Sequence, residues 1–308
     1  MRFSLRQTEV FVAVARRGSV SAAAEQLALS QSAASTSLSD MERQFDCQLF
    51  DRIGKALRLN TLGEQLLPKA VELLDRAREI EDLLAGRAGL GPLRIGATLT
   101  IGNYLATLIV AGMLQKHGEA RIQLNVHNTA TIVEQVAGFD LDVGMIEGAC
   151  HHPDLHVEPW LEDELVVFCP PDHPLARKRA LSMERLMQEP WILRERGSGT
   201  REVFDQAVHR AGLEPRVRLE LEHTEAIKRA VESGLGIGCI SRLALREAFR
   251  RGSLVALKTP PLDLRRRFQF LWHTDKYHTA AMREFLAACH ALSAGATRSD
   301  QIELPYIP

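Results

Sequence analysis

The chain has no apolar run long enough to cross a membrane. No stretch approaches the roughly 18 to 20 uninterrupted apolar residues that a helical span needs, and the opening MRFSLRQTEV lacks the apolar core of a secretory signal. A cytoplasmic protein with no membrane contact is expected. Cysteine is scarce: Cys47, Cys150, Cys169, Cys239 and Cys289 are scattered, odd in number and never spaced C-x-x-C, so neither a disulfide framework nor a zinc site is suggested. They read as buried or idle thiols, with Cys150 and Cys169 left open as a redox-sensing pair although nothing around either would stabilise a thiolate. Excess charge is missing as well. A net charge of −1 argues against a protein that coats nucleic acid indiscriminately.

Catalytic constellations are missing too. No G-x-S-x-G elbow, P-loop, H-E-x-x-H or G-x-G-x-x-G stands at a strand-to-helix junction, and GLGIG at 234–238 leads into a strand instead of following one. Neither an enzyme nor a cofactor is expected. His151 and His152, near Asp154 and His156, read as a solvated loop, because adjacent histidines on a proline-containing loop cannot readily share a tetrahedral ion.

What is present is ordinary in bulk and informative in pattern. With 308 residues, 45% hydrophobic and 25% charged, the chain should form two or three globular domains. The stretch Ser19–Phe45 organises the rest. Val20, Ala23, Ala24 and Leu27 make one apolar stripe at helical spacing, and Ala34, Leu38, Met41 and Phe45 make a second, so two short helices pack on a common core. Leu5, Thr8, Phe11, Val12 and Ala15 add a first helix, stopped by Gly18 before Ser19 or Ser21 caps the next. Ser30 is the expected cap of the third helix. Opposite its stripe stand Ser32, Ser35, Thr36, Ser39 and Arg43, small polar groups that let a helix approach the floor of a DNA major groove.

LRQTEVFVAVARRGSVSAAAEQLALSQSAAS through LFDRIGKALRLNTLGEQLL resembles the winged helix-turn-helix of the LysR-type transcriptional regulators. Its marks are the AAA run, the SQ-x-A-x-S start of a recognition helix, LF-x-R and TLGE. The resemblance implies DNA contacts by Gln31 with the face just named, and by Arg52, Lys55 and Arg58 of a two-stranded wing. A charged hairpin that merely faces water is the wing's other reading. Ser32 and Thr36 stand where such regulators often carry Pro and Arg, which leaves the half-site sequence open. Basic residues outnumber acidic ones only modestly through residue 60, so affinity calls for two such domains acting together on an inverted repeat of double-stranded DNA.

Thr61 with Glu64 offers a capping box for the next helix. Leu66, Ala70, Leu73, Ala77, Ile80 and Leu84 then form a coiled-coil seam that needs a partner, and Pro68 should interrupt its first turns. By the resemblance this helix pairs across a dimer; packing against the chain's own C-terminal part is the alternative. GRAGLGPL, 86–93, reads as a hinge. Beyond it strands and helices alternate, the mark of two α/β lobes.

The expected fold class is therefore α/β: a winged helix-turn-helix over 1–60, a linker helix and hinge over 61–89, and an effector domain over 90–308. Lobe I takes about 92–161 and 267–296, and lobe II about 162–266. The tail from Ser293 should be partly loose. Resemblance implies a periplasmic-binding-protein-like domain with a small-molecule cleft. Ligands of open α/β sheets sit at the carboxyl ends of strands, which here selects Thr98, Thr100, Asn128, Thr129 and Glu147 from lobe I and Ser198, Gly199 and Thr200 from lobe II. Each Ser or Thr alone also suits a plain helix cap. Arg194 and Arg196 before the Gly-Ser-Gly-Thr turn favour an anion, a carboxylate or other oxyanion, and an ionised Glu147 would favour an amino acid instead. The expected partners are DNA, that effector, further copies of the chain as dimer or tetramer, and RNA polymerase as a further candidate. A solute-binding or enzymatic protein with an accessory DNA-binding domain is the competing reading.

Overall fold

The computed structural model describes residues 2–54, 56–85, 90–178, 181–259 and 262–303. Lys55, residues 86–89 of the hinge and 304–308 of the tail lie outside them. Helix α1, Leu5–Arg17, starts at a capping box between Ser4 and Gln7 and stops at Gly18, whose φ of 62° is left-handed. Ser19 caps α2, Val20–Gln26, and Ser30 caps α3, Gln31–Gln44, through its hydroxyl. Ala23, Ala24, Ala34, Leu38 and Met41 are buried against α1 as their spacing requires. Phe45 is not, because it is the cap residue beyond the last turn of α3 and so leaves the stripe; it meets Phe3 at an exposed edge. The wing follows as β1, Phe50–Ile53, and β2, Ala56–Leu59, with Leu57 N donating to Gly18 O to fasten it to the helices.

Helix α4, Thr61–Leu84, departs from expectation three times. Its cap is Asn60, which accepts from Gly63 N, so Thr61 and Glu64 form no capping box. Pro68 leaves the helix unbroken: it forfeits one backbone bond and the turns on either side hold. The seam, finally, is not the buried face: of its six residues Ala70 alone is buried, Leu66, Leu73 and Ala77 are half-buried, and the stripe beside it packs inward. Leu67, Ala70, Val71 and Leu74 bury on the chain's own α1, whereas Ile80, Leu83 and Leu84 are exposed, Leu84 by 82%.

The effector region is one sheet in the order β4-β3-β5-β11-β6-β9-β7-β8, with β10, Val255–Ala256, against β6. Strands β3, Pro92–Thr98, β4, Arg121–His127, and β5, Val143–Glu147, are parallel and make lobe I with β11, Arg265–His273. Helices α5, Leu99–Ile101, and α6, Thr107–Lys116, frame a π-helical turn, Gly102–Ala106, in what reads from sequence as one helix. Helix α7, Thr129–Ala137, completes the first half. Strand β6, Leu155–Cys169, crosses between lobes: its first part pairs β11 and its last part pairs β9, Ile237–Ser241. Lobe II adds α8, Met183–Met187, β7, Pro190–Arg194, α9, Gly199–Arg210, β8, Arg216–Leu221, α10, Thr224–Glu232, and α11, Arg242–Arg251. The chain returns through β11 to α12, Ala280–Leu292, on lobe I.

The tail corrects the sequence reading. Through Ile302 it is pinned, by polar anchors more than apolar ones: Ser299 Oγ donates to Asp163 at 2.5 Å, Arg246 to Ile302 O at 2.7 Å, and Ile302 itself is buried.

Candidate functional site

The DNA-facing set of α3 lies on the outer surface of the N-terminal domain. Gln31, Ser32, Thr36, Ser39 and Arg43 are exposed and Ser35 is half-buried, while Leu38 and Met41 point inward. Arg43 is paired with Asp40 on its own helix. Ser35 and Ser39 share with Arg52 of the wing a groove of about 370 Å³. Arg58 is exposed opposite Asp51. An inward apolar face, an outward face of hydroxyls and a basic wing beside it suit insertion into a major groove with flanking phosphate contacts.

The effector set does converge, but its members hold one another. Glu147, at the end of β5, is the centre: Thr100 N donates to Oε1 at 2.9 Å, and Thr200 Oγ1 and Arg266 Nη1 reach Oε2 at 3.2 and 2.9 Å. Gly199 N donates to Thr129 Oγ1 at 3.1 Å, and a Cβ on Gly199 would stand 2.0 Å from the Glu147 carbonyl oxygen, so only glycine lets the lobes meet here. Asn128 is a helix cap, accepting from Thr131 N. Thr98 donates weakly to Met145 O at 3.5 Å, and Ser198, though buried, makes no capping bond. Glu147 does not stand open in the cleft: Oε1 takes one donor and Oε2 takes two. The lobes meet here around the chain's own carboxylate.

Sequence reasoning missed Arg266, whose side chain is 1% exposed. Its Nε binds Asp163 at 2.7 Å, and Asp163 also accepts from Ser241 and Ser299. Burial alone would raise the Glu147 carboxyl, but Arg266, then Arg194, and its hydrogen bonds hold it below the ordinary carboxylate value. Tyr104, on the π-helical turn, was missed too. It crosses to lobe II, with its hydroxyl 2.5 Å from Glu225 and 3.2 Å from Lys228, and burial followed by the Glu225 bond raises it far above an ordinary phenol.

A second buried cluster ties the N-terminal part to lobe I. Lys276 Nζ lies 2.6 Å from Asp75 of α4 and 2.8 Å from Asp142, which also holds Arg94 at 2.8 Å. Burial opposes ionisation of Asp142, yet Lys276 and then Arg94 keep it well below the carboxylate range. Phe139, buried and at φ 59°, inserts into the core formed by α1 and α4 and meets His273 at 4.2 Å.

Two family models match: residues 5–64 fit the bacterial regulatory helix-turn-helix protein, lysR family, and residues 87–294 fit the LysR substrate binding domain. The chain belongs to the LysR family of transcriptional regulators. It is 44% identical over 289 residues to the HTH-type transcriptional regulator YeiE of Escherichia coli K12, covering 94% of this chain and 98% of that one. It is 33% identical to the RuBisCO operon transcriptional regulator of Allochromatium vinosum, over 93% of this chain and 96% of that one. Among solved structures, a full-length OxyR variant from Pseudomonas aeruginosa covers 100% of both chains with TM-score 0.71 at 21% identity, and so shares the fold. The Synechocystis CcmR regulatory domain in complex with 2-PG matches 67% of this chain and 99% of its own at 30% identity, TM-score 0.62. This LysR-type protein is therefore a regulator with a helix-turn-helix and an effector-binding domain. The solute-binding or enzymatic alternative is set aside.

Proposed function

We propose that this LysR-type regulator binds an interrupted inverted repeat of double-stranded DNA, as a homodimer or a dimer of dimers, and answers a small oxyanion held between its lobes. The working units are residues 1–60 on DNA, 61–89 as linker and 90–308 on the effector. It acts where the chromosome is, in the cytoplasm. The observation that carries the reading is the α3 face: a recognition helix with hydroxyls outward and Arg52 of the wing beside it. Exposed Ile80, Leu83 and Leu84 on α4 support pairing with a second copy, since large apolar side chains this open seek cover. The buried cation Arg266, with Thr200 Oγ1 at 2.9 Å and Thr100 Oγ1 at 3.5 Å, supports an anionic effector, and the CcmR complex with 2-PG supports a small-molecule one.

Selection of bound sequences from a random duplex pool tests it. The native chain should enrich two inverted half-sites. Ser35→Arg should change the preferred bases, and Arg52→Ala should weaken all sites alike and flatten the salt dependence. Enrichment of a single unsymmetrical half-site, or an unchanged preference with Ser35→Arg, would overturn it.

A further inference from the structure

We propose that His273 is a proton-operated catch: neutral, it holds lobe I docked on the DNA-binding domain and α4, and protonated, it lets them separate.

The dock consists of an apolar plug and a row of polar contacts. Phe139, carried by lobe I, is buried in the core of α1 and α4, and Lys276 reaches Asp75 of α4 at 2.6 Å. Glu79 of α4 accepts from Tyr277 Oη at 3.0 Å and from Ala280 N at 3.3 Å. Beside these contacts a groove of about 1110 Å³ runs between α4 and lobe I, lined in part by Phe139, His152, Asp154 and His273. Water therefore reaches the His273 ring, which is half-buried and stands 4.2 Å from Phe139 between centroids.

His273 serves both halves of the dock. Its ring covers Phe139, its Nδ1 accepts from Asp275 N at 3.1 Å, and its carbonyl oxygen accepts from Lys276 N at 2.8 Å. Those two bonds fold the turn that delivers Lys276 to Asp75. A ring nitrogen that accepts carries no proton, so the neutral imidazole holds its hydrogen on Nε2. A second proton must go to Nδ1, where it points at the Asp275 N–H and breaks that bond. The turn loosens, and a charge appears against the ring that plugs the apolar core. Docking thus disfavours the imidazolium, and by linkage acid disfavours docking.

The surrounding charges leave that sign unchanged. Asp275 and Asp154 favour the proton, His152 opposes it, and burial outweighs the two carboxylates, so His273 stays below its ordinary 6.5. From α4, Glu64, Lys69 and Glu72 line the same groove, and Asp140 beside Phe139 faces Arg16 of α1 at 3.9 Å. The contribution of His273 to docking is present in full above its ordinary value and is lost as pH falls through the lower docked one. Asp142, which Lys276 and Arg94 hold well below the carboxylate range against its burial, remains a partner for Lys276 throughout.

Lys276 reports the dock without any substitution, because its side chain is 2% exposed when docked. Reductive methylation of the full chain, read by peptide mass against exposed Lys258, measures its release. Between about pH 7.5 and about pH 5.5, one unit either side of an ordinary imidazole, the Lys276 signal should rise at least about 3-fold. Lys228, buried in lobe II, should stay protected. His273→Asn keeps an acceptor for Asp275 N, as in an Asx turn, and does not titrate, so it should abolish most of the rise. A flat native profile, or an equal rise in His273→Asn, overturns the proposal. So does a parallel rise at Lys228, which marks general unfolding. Should His273→Asn fail to fold, the native chain decides through deuterium exchange at the histidine Cε1 positions. The His273 titration and the exposure of Lys276 must share a midpoint within about half a pH unit, and a wider gap refutes the catch.

Discussion

Asp142 and Glu147 are carboxylates that buried cations keep ionised, and that sets the sign of the acid response. Both fall below their ordinary values of 3.8 and 4.5. Their contribution is therefore fully present above those values and is lost as pH falls through the lower folded ones. Asp142→Asn should lower the melting temperature at pH 7 yet show a flatter decline than the native chain between pH 5 and pH 3 (range set by about one unit either side of an ordinary carboxylate); parallel declines would mean that Lys276 and Arg94 do not hold Asp142 as described. Burial pushes the Cys169 and Cys239 thiols up to about 12. At neutral pH both should resist alkylation in the folded chain, and Cys169 lacks the thiolate a sensing pair with Cys150 would use. At this scale the sequence rule that ligands gather at strand ends found Thr100, Glu147 and Thr200. It missed Arg266 and Asp163 because each is the middle of a charged triplet, Arg265–Arg266–Arg267 and Glu162–Asp163–Glu164, and such runs read as solvated. The triplets pair antiparallel in register, and strand alternation turns only the middle members inward. Two opposite charged triplets at strand period were the available signal.

At the scale of elements, local chemistry was legible where one residue decides it: Ser30 as cap, Gly18 as stop, the alternation of strand and helix. It was not legible where a distant partner decides. The seam of α4 is apolar along its length, and sequence alone could not say that α1 would take the neighbouring stripe of Leu67, Ala70, Val71 and Leu74, which shares only Ala70 with the seam, while Ile80 and Leu84 stayed outside. Nor does α4 choose between its two expected partners. Its polar side touches the chain's own C-terminal part, through Asp75 with Lys276 and Glu79 with Tyr277 at 3.0 Å. Its apolar end, Ile80, Leu83 and Leu84, stays exposed. Ile80→Asp with Leu84→Asp should leave folding intact and shift the chain toward monomer at micromolar concentration by sedimentation, because buried carboxylates would face the dimer contact. An unchanged dimer would place the main contact elsewhere.

At the scale of the molecule, the two functions are joined by a packed contact and an ion cluster. Phe139 sits in the core of the DNA-binding part while its backbone belongs to lobe I, and Lys276 bridges Asp75 to Asp142. Phe139→Ala should cost about 3–5 kcal/mol in denaturant unfolding, the usual range for emptying an aromatic site; a loss under about 1 kcal/mol would mean that the cavity closes and the contact carries little. The central claim is that this chain reads DNA through paired α3 helices. Footprinting of the full-length protein on the fragment it selects tests that most directly. Protection of two inverted half-sites on one face of the duplex, their centres about one helical turn or a multiple apart, lost together when Ile80 and Leu84 are both replaced by Asp, is the predicted result. Protection of one unsymmetrical half-site by a monomer would contradict it.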